Sequence, residues 1–241
     1  MRPLKPFADR VIIHAISKFV YRSAAPAVKK PIKHIWGADI AIDRDPGSGG
    51  HPVAEKVANK LGWQLLDKKI LTELADHFGI PRREFVDVDE RPRPWLMDVI
   101  HSVFNPDYIS DIRYVNHLKK LLLAASKKGD VVIIGHGANH ILPPDKCLRV
   151  RVTASMPKRV ENTFTFENKK SREEARAWVE QVESKRVSFI RQYFRANPYN
   201  PWHYDIIVST DHLTLDQATD LIIQAYYAKF PAAKQKVKTH H

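Results

Sequence analysis

The stretch "IAIDRDPGSGGHPVAEKVANKLG", residues 40–62, decides the fold because a strand, a glycine-rich turn and a helix follow one another directly. Ile40, Ala41 and Ile42 predict a buried strand that ends at Asp43. Pro52 suits the first turn of a helix, where its missing N–H costs nothing. A turn of this kind, with its backbone N–H groups and helix N-terminus, is typical of sites that bind phosphate.

The turn departs from the standard loop pattern G-x-x-x-x-G-K-[ST], in which the lysine contacts phosphates and the hydroxyl contacts magnesium. Gly50 and His51 occupy those two positions. We expect Gly47, Gly49 and Gly50 to allow positive φ angles, so that the loop's N–H groups converge on an anion. The candidate phosphate-binding residues are Gly47, Ser48, Gly49, Gly50 and His51, with His51 contributing its backbone N–H. A turn that binds no ligand also fits this pattern.

Two side chains at the end of the strand carry charge that the loop otherwise lacks. Arg44 offers a forked guanidinium to phosphate, in place of the lysine. Asp43 lies at the carboxyl end of the strand, where ligands of open α/β sheets bind. Magnesium prefers oxygen ligands, so His51 is a poor candidate, and we expect water, the nucleotide's phosphates and a carboxylate such as Asp43 to hold the ion.

The net charge of +12 in 241 residues makes polyanions plausible partners. Residues 1–36 hold eight Lys or Arg side chains and a single acidic one. A basic amphipathic helix is predicted there; it could dock on the protein's own surface, lie on a membrane or target an organelle. The single cysteine, Cys147, excludes an internal disulfide and favours a reducing compartment, so we expect a cytoplasmic protein.

From residue 38 onward, short apolar runs alternate with longer helical patterns, which predicts an α/β fold with a parallel sheet covered by helices. The runs are "DIAID", "WQLLD", "VVIIGHG", "LRVRVTA" and "DIIVST". Ser171 to Glu174 form a predicted capping box that opens a helix running to about Phe194. A last helix is predicted over residues 214–229.

Several motifs occur in one order: "AIDRDPGSGGHPVAEKVANKLGWQLLDKKIL", "VVIIGHGANHIL", "LRVRVTA", "ESKRVSFIRQYF" and "YDIIVST". Together they resemble the cytidylate kinase-like family of P-loop proteins, whose loop also lacks the lysine. The resemblance implies a three-layer P-loop kinase-like fold with a five-stranded parallel sheet, and ATP and Mg²⁺ as cofactors. It also implies a kinase-like domain at 37–230 with an acceptor-binding insert at 68–129 and a lid at 160–195. The charge distribution adds a basic arm at 1–36 and a basic tail at 231–241.

The resemblance assigns further site residues. Asp67, His136 and Asn139 correspond to acceptor-binding positions, and His136 replaces an arginine of the family pattern. In the lid, Arg186 and Arg191 are candidate catalytic arginines, because phosphoryl transfer needs charge neutralisation more than covalent chemistry. With Asp43 and Arg44 they make four candidate catalytic residues. Five residues place the two lid arginines about 140° apart on an ideal helix, so both can reach one ligand only if the helix breaks or the side chains extend.

Three hypotheses follow. The first is a phosphotransferase that moves phosphate from ATP to a small acceptor, for example a nucleoside monophosphate such as CMP. The second is a binding or regulatory protein that keeps the phosphate cradle but has lost efficient transfer. The third is a basic adaptor that contacts membrane or nucleic acid through residues 1–36. The sequence leaves the acceptor and the oligomeric state open.

Overall fold

The computed structural model describes residues 38–67, 111–126 and 129–233, except for the side chains of residues 111–114 and 117. The predictions for the basic arm at 1–36, for most of the insert at 68–129 and for most of the tail therefore lie outside the described residues.

The described chain folds into a five-stranded parallel sheet with the order β2-β3-β1-β4-β5. The strands are β1 (Asp39–Arg44), β2 (Gln64–Leu66), β3 (Val131–Ile134), β4 (Cys147–Thr153) and β5 (Ile206–Ser209). Each lies within one of the five predicted apolar runs or one residue beyond it. The predicted α/β fold with a five-stranded parallel sheet is confirmed.

Six α-helices and one short 3₁₀ helix, Pro201–His203, connect the described strands. The α-helices are α1 (Gly50–Leu61), α2 (Asp111–Ser126), α3 (Ala138–Ile141), α4 (Met156–Phe166), α5 (Arg172–Phe194) and α6 (Leu215–Lys229). The predicted helices near 171–194 and 214–229 correspond to α5 and α6. At Ser171 the side chain accepts from the Glu174 N–H, but the Glu174 carboxylate accepts from the Lys170 N–H, so the predicted capping box is only half formed.

Two apolar clusters lie on opposite faces of the sheet and produce three layers. Ile40 and Ile42 of β1 pack on one face with α1 and α6. Ala41 between them points to the other face, where α2 and α3 pack. This two-residue alternation is what a strand buried on both sides requires.

The strand order makes β1 the point where the sheet's connections change direction. β1 pairs with β3 on one side and with β4 on the other, so its carboxyl end opens into a crevice between two crossovers. Open α/β sheets bind their ligands at such a switch point. The glycine-rich turn lies there.

Candidate active site

The loop between β1 and α1 has left-handed backbone at two glycines. Gly47 has a φ of 78° and Gly49, the N-cap of α1, a φ of 77°. Gly50 does not have a positive φ, so that part of the sequence prediction is wrong. Gly50 is needed for a steric reason instead, because a Cβ there would overlap the Arg44 Cβ and lie 2.9 Å from the Arg44 Cγ.

Each carbonyl group named below accepts a hydrogen bond, either from a residue outside the loop or from a residue of the loop itself. The Arg44 carbonyl accepts from Arg186 Nη1 at 3.1 Å, Asp45 from the Ser48 hydroxyl at 2.8 Å, Gly47 from Asn162 Nδ2 at 2.8 Å and Ser48 from the Thr210 hydroxyl at 2.8 Å. These bonds fix the orientation of the peptide planes. The first N–H groups of α1 have no acceptor within the helix, so the fixed loop can present them to an anion.

The Arg44 side chain extends from the end of β1 toward the end of β3. A Cβ at Gly135, the first residue after β3, would overlap Arg44 Nη1 and lie 3.1 Å from Arg44 Cζ. The guanidinium therefore lies across the bare backbone of Gly135. Its position depends on two glycines from different parts of the chain.

Arg151 joins the carboxylates of Asp43 and Asp45. Its Nη1 lies 2.6 Å from Asp43 Oδ2 and its Nη2 2.5 Å from Asp45 Oδ1. The Tyr204 hydroxyl donates to Asp43 at 2.8 Å, and Thr153 donates to Asp45 at 2.5 Å. Burial by itself would lower the pKa of Arg151, but the charges of Asp43 and Asp45 raise it. The two carboxylates and the arginine fix the start of the loop in a buried ion cluster.

Arg159 of α4 connects this cluster to α5. Its two terminal nitrogens lie 3.0 and 2.7 Å from the Glu183 carboxylate oxygens, and Nη1 lies 3.6 Å from Asp45 Oδ2. The hydrogen bonds from Arg159 lower the pKa of Glu183. Burial and the hydrogen bond to Glu183 raise the pKa of Tyr199 to about 12, so Tyr199 stays a donor. This chain of contacts holds α5 against the loop.

A cleft of about 20 Å³ lies between the loop and α5. Its lining includes Asp43, Arg44, Asp45, Arg151, Glu183 and Arg186. This volume has room for about one water molecule, whereas pockets for small ligands measure roughly 300–1,000 Å³. In this arrangement α5 therefore lies close over the loop.

The model of the cytidylate kinase-like family matches residues 39–212, which contain the whole sheet and this cleft. The chain belongs to the cytidylate kinase-like family. Two curated relatives are cytidylate kinases, one of Pyrobaculum aerophilum that is 25% identical over 181 residues and one of Pyrobaculum islandicum that is 26% identical over 182 residues. Each alignment covers 74% of this chain and 87% of the relative.

A solved structure of similar fold is that of an uncharacterized protein from Eubacterium ventriosum. It is 22% identical, with a TM-score of 0.58, and the match covers 78% of this chain and 98% of that one. This likeness concerns the fold alone. The family match confirms the resemblance drawn from the sequence and supports the prediction of a kinase.

Within this family member, the structure brings three of the four predicted catalytic residues together. Asp43, Arg44 and Arg186 all line the cleft. Arg191 is exposed near the end of α5 and does not line it. The helix runs unbroken through both arginines, so their angular separation keeps them apart.

Two of the predicted phosphate-binding residues have side chains that contact other groups of the protein. The Ser48 hydroxyl is fully buried and donates to the carbonyls of Asp45 and Val152, so it shapes the loop. The exposed His51 imidazole lies 3.4 Å from the Glu55 carboxylate, one turn further along α1. Any contact of these two residues with phosphate is therefore through the backbone.

The predicted acceptor residues follow β2 and β3. His136, just after β3, has a φ of 56°, and the buried Asn139 Nδ2 lies 3.2 Å from His140 Nε2. The His140 ring stacks on Phe194 at 5.3 Å. Burial and the nearby His203 lower the pKa of His140 to about 4, so it is neutral near pH 7. Asp67 follows β2, at the edge of the sheet.

Sequence reasoning missed Asp45, Arg151, Arg159, Tyr199 and Tyr204. One signal was available, because "LRVRVTA" places an arginine in a strand predicted to be buried, and buried charges need partners. The register pairs Arg151 with Asp43 across β4 and β1. For the other four residues, no periodic pattern in the sequence indicates a place in the site.

Among the described residues, no three His, Cys, Asp or Glu side chains form a group that could hold a metal ion. Asp43 and Asp45 are both bound by Arg151. The described residues therefore fit a Mg²⁺ ion that phosphate and water oxygens hold for the most part. Asp43 is the candidate carboxylate ligand. Within the same residues, no helix is both long and apolar enough to cross a membrane.

Proposed function

We propose that this protein transfers the terminal phosphoryl group of ATP to a small acceptor, and that a nucleoside monophosphate such as CMP is the acceptor. The observation that carries the proposal is the contact between Arg186 Nη1 and the Arg44 carbonyl, because it brings an arginine of α5 next to the glycine-rich loop. The family membership and the names of the curated relatives support the choice of reaction and of CMP.

Each group has its own role in the proposed reaction. The backbone N–H groups at the start of α1 bind the phosphates of ATP. Arg186, carried by α5, stabilises the charge that spreads over the transferred group in the transition state. Mg²⁺, when bound, neutralises charge between the phosphates. Asp43, which Arg151 holds in place, would be the carboxylate that helps to bind the ion.

Closure of α5 over the loop excludes water, which otherwise competes with the acceptor for the phosphoryl group. The small volume of the cleft implies that α5 moves away to admit the nucleotide and then returns. The predicted lid at 160–195 covers α5 and most of α4, and the predicted insert at 68–129 supplies the acceptor side. His136, Asn139 and Asp67 belong to that acceptor side in this proposal.

The test is incubation of the full chain with ATP, Mg²⁺ and CMP, UMP, AMP or GMP in turn, with diphosphates measured by chromatography. We expect CDP, and we expect Arg186→Ala to lower kcat on the order of a thousandfold. Arg176→Ala is the matched control, because Arg176 is an exposed arginine of the same helix paired with Glu180. Transfer that survives Arg186→Ala would contradict the proposed role.

ATP binding is measured separately. At a hundredfold excess over the dissociation constant, ATP should stabilise the fold by about 2.7 kcal/mol. Stabilisation without any diphosphate product would favour the second hypothesis, a binding protein that has lost transfer. Neither stabilisation nor product would leave the third hypothesis, an adaptor that uses the basic residues 1–36. A cytoplasmic location is part of the proposal for the first two.

A further inference from the structure

The position of the missing lysine is occupied in space by a different residue. Gly50 stands where the standard loop has lysine, and a side chain there would collide with Arg44 Cβ and come within 2.9 Å of Arg44 Cγ. Val152 Cβ lies 3.4 Å away on the other side. The stem of Arg44 thus fills the space through which a lysine at residue 50 would leave the helix.

The far end of Arg44 has a second steric requirement. A Cβ at Gly135 would overlap Nη1 and lie 3.1 and 3.5 Å from Cζ and Nη2. Gly135 is held in register with β1, because its N–H donates to the Ile42 carbonyl at 2.9 Å. The guanidinium is therefore located between the carboxyl ends of β1 and β3, on the side of the crevice that leads to His136.

Two other arginines line the same cleft. Arg151 is bound by two carboxylates, and Arg186 donates to the loop backbone from α5. Arg44 is the last residue of β1 and directly precedes the loop. The Arg44 side chain therefore starts from the sheet, whereas that of Arg186 starts from α5.

We infer that Arg44 has taken over the role of the loop lysine, and that Gly50 and Gly135 are the two positions whose missing side chains seat it between the donor and acceptor sides. The inference rests on the proposed function, since it names the group that contacts the transferred phosphate. Relocation from α1 to β1 moves the positive charge toward the acceptor. A forked guanidinium there can contact oxygens of two neighbouring phosphate groups at once.

A double-mutant cycle tests whether Gly135 positions the Arg44 guanidinium. We expect Arg44→Ala to lower kcat/KM by about a hundredfold or more and Gly135→Ala by about tenfold or more. In the Arg44→Ala background, Gly135→Ala should cost less than about threefold further, because no guanidinium remains to be displaced. Gly62→Ala is the control for strain at a positive φ, since Gly62 has a φ of 68° and nothing within 4 Å of the added Cβ. Independent, multiplying effects of Arg44→Ala and Gly135→Ala would overturn the inference.

Moving the positive charge from residue 44 to residue 50 gives a second test. This test does not depend on whether the Gly135→Ala variant folds. The double variant Arg44→Gly with Gly50→Lys rebuilds the standard loop and should recover at least about tenfold of the kcat/KM lost in Arg44→Gly. Gly50→Lys alone should be impaired, because lysine and Arg44 compete for the same space. A double variant no better than Arg44→Gly would overturn the inference.

Failure of the proposed function is distinguishable. If the wild type makes no diphosphate, the same cycle is read in the dissociation constant of ATP with Mg²⁺, measured by calorimetry. Coupled effects of Arg44 and Gly135 on that constant would support the relocated cation although transfer is absent. Additive effects, or no ATP binding by the wild type, would overturn it.

Discussion

Arg159 and Glu183 form a bidentate ion pair between α4 and α5, with Nη1 3.0 Å from Oε1 and Nη2 2.7 Å from Oε2. The Arg159 side chain is only 5% exposed, whereas that of Glu183 is 21% exposed. Because Arg159 also lies 3.6 Å from Asp45, the pair connects α5 to the loop between β1 and α1. Its loss should affect both stability and transfer.

Glu183→Gln tests this connection. Glutamine keeps the shape but removes the charge that compensates the buried Arg159, so we expect the free energy of unfolding in urea to fall by about 1–3 kcal/mol. Glu180→Gln is the control, because Glu180 pairs with Arg176 at 3.1 Å on the exposed face of the same helix and should cost less than about 0.5 kcal/mol. Equal losses in the two variants would show that burial of Arg159 does not matter.

Thr210→Val tests the anchoring of the loop carbonyls. The Thr210 hydroxyl donates to the Ser48 carbonyl at 2.8 Å, and valine has nearly the same shape without the donor. We expect the dissociation constant of ATP to rise about three- to tenfold, which corresponds to one hydrogen bond. Thr219→Val removes a buried hydroxyl that donates to a carbonyl within α6, and it should leave ATP affinity unchanged. A similar loss of affinity in both variants would point to general destabilisation.

Asp39 predicts a pH dependence of stability far from the cleft. Its fully buried carboxylate accepts from the Ser126 hydroxyl, and burial is the main cause that raises its pKa from 3.8 to about 7. The folded state thus holds this proton more tightly than the unfolded state. The resulting stability is present below about pH 4 and is lost as the pH rises toward and through about 7.

Asp39→Asn removes this titration. The difference in unfolding free energy between the variant and the wild type should shift in favour of the variant as the pH rises from 4.5 to 8. The shift should reach up to a few kcal/mol, since one pKa unit corresponds to about 1.4 kcal/mol. Urea unfolding at several pH values measures the difference. If the difference between variant and wild type is constant over that range, Asp39 does not titrate as described.

Deletion of residues 1–36 should leave the fold intact. Among the described residues, both apolar clusters and all five strands are built from Ala38 onward. We expect the same urea midpoint and the same stabilisation by ATP in the truncated chain. An insoluble or unfolded product would show that the basic arm is part of the core.

The periodic parts of the structure were predictable from the sequence, and the contacts between distant residues were not. The alternation of Ile40, Ala41 and Ile42 predicts a strand buried on both faces, because each neighbour must point to the opposite side. Gly47 and Gly49 predict left-handed backbone for a similarly local reason. These features depend on residues within a few positions of one another.

The requirement for glycine at residue 50 arises from Arg44, six positions earlier, whose Cβ and Cγ occupy the adjacent space. Arg151 finds Asp43 and Asp45 more than a hundred positions away in the chain, through the pairing of β4 with β1. No repeat in the sequence marks such partners. The sequence could therefore predict the strand, the glycine-rich turn and the helix at this place, but not which side chains hold the loop in position.

The overlap between Arg44 and any side chain at residue 50 also restricts how this loop can evolve. A single substitution that restores lysine at residue 50 meets the arginine stem, and a single substitution that removes Arg44 leaves the loop without its own cation. If Arg44 supplies the cation of the loop, as inferred above, the two loop chemistries are separated by an intermediate that is worse than either. A lineage that holds one of them is expected to keep it unless both positions change together.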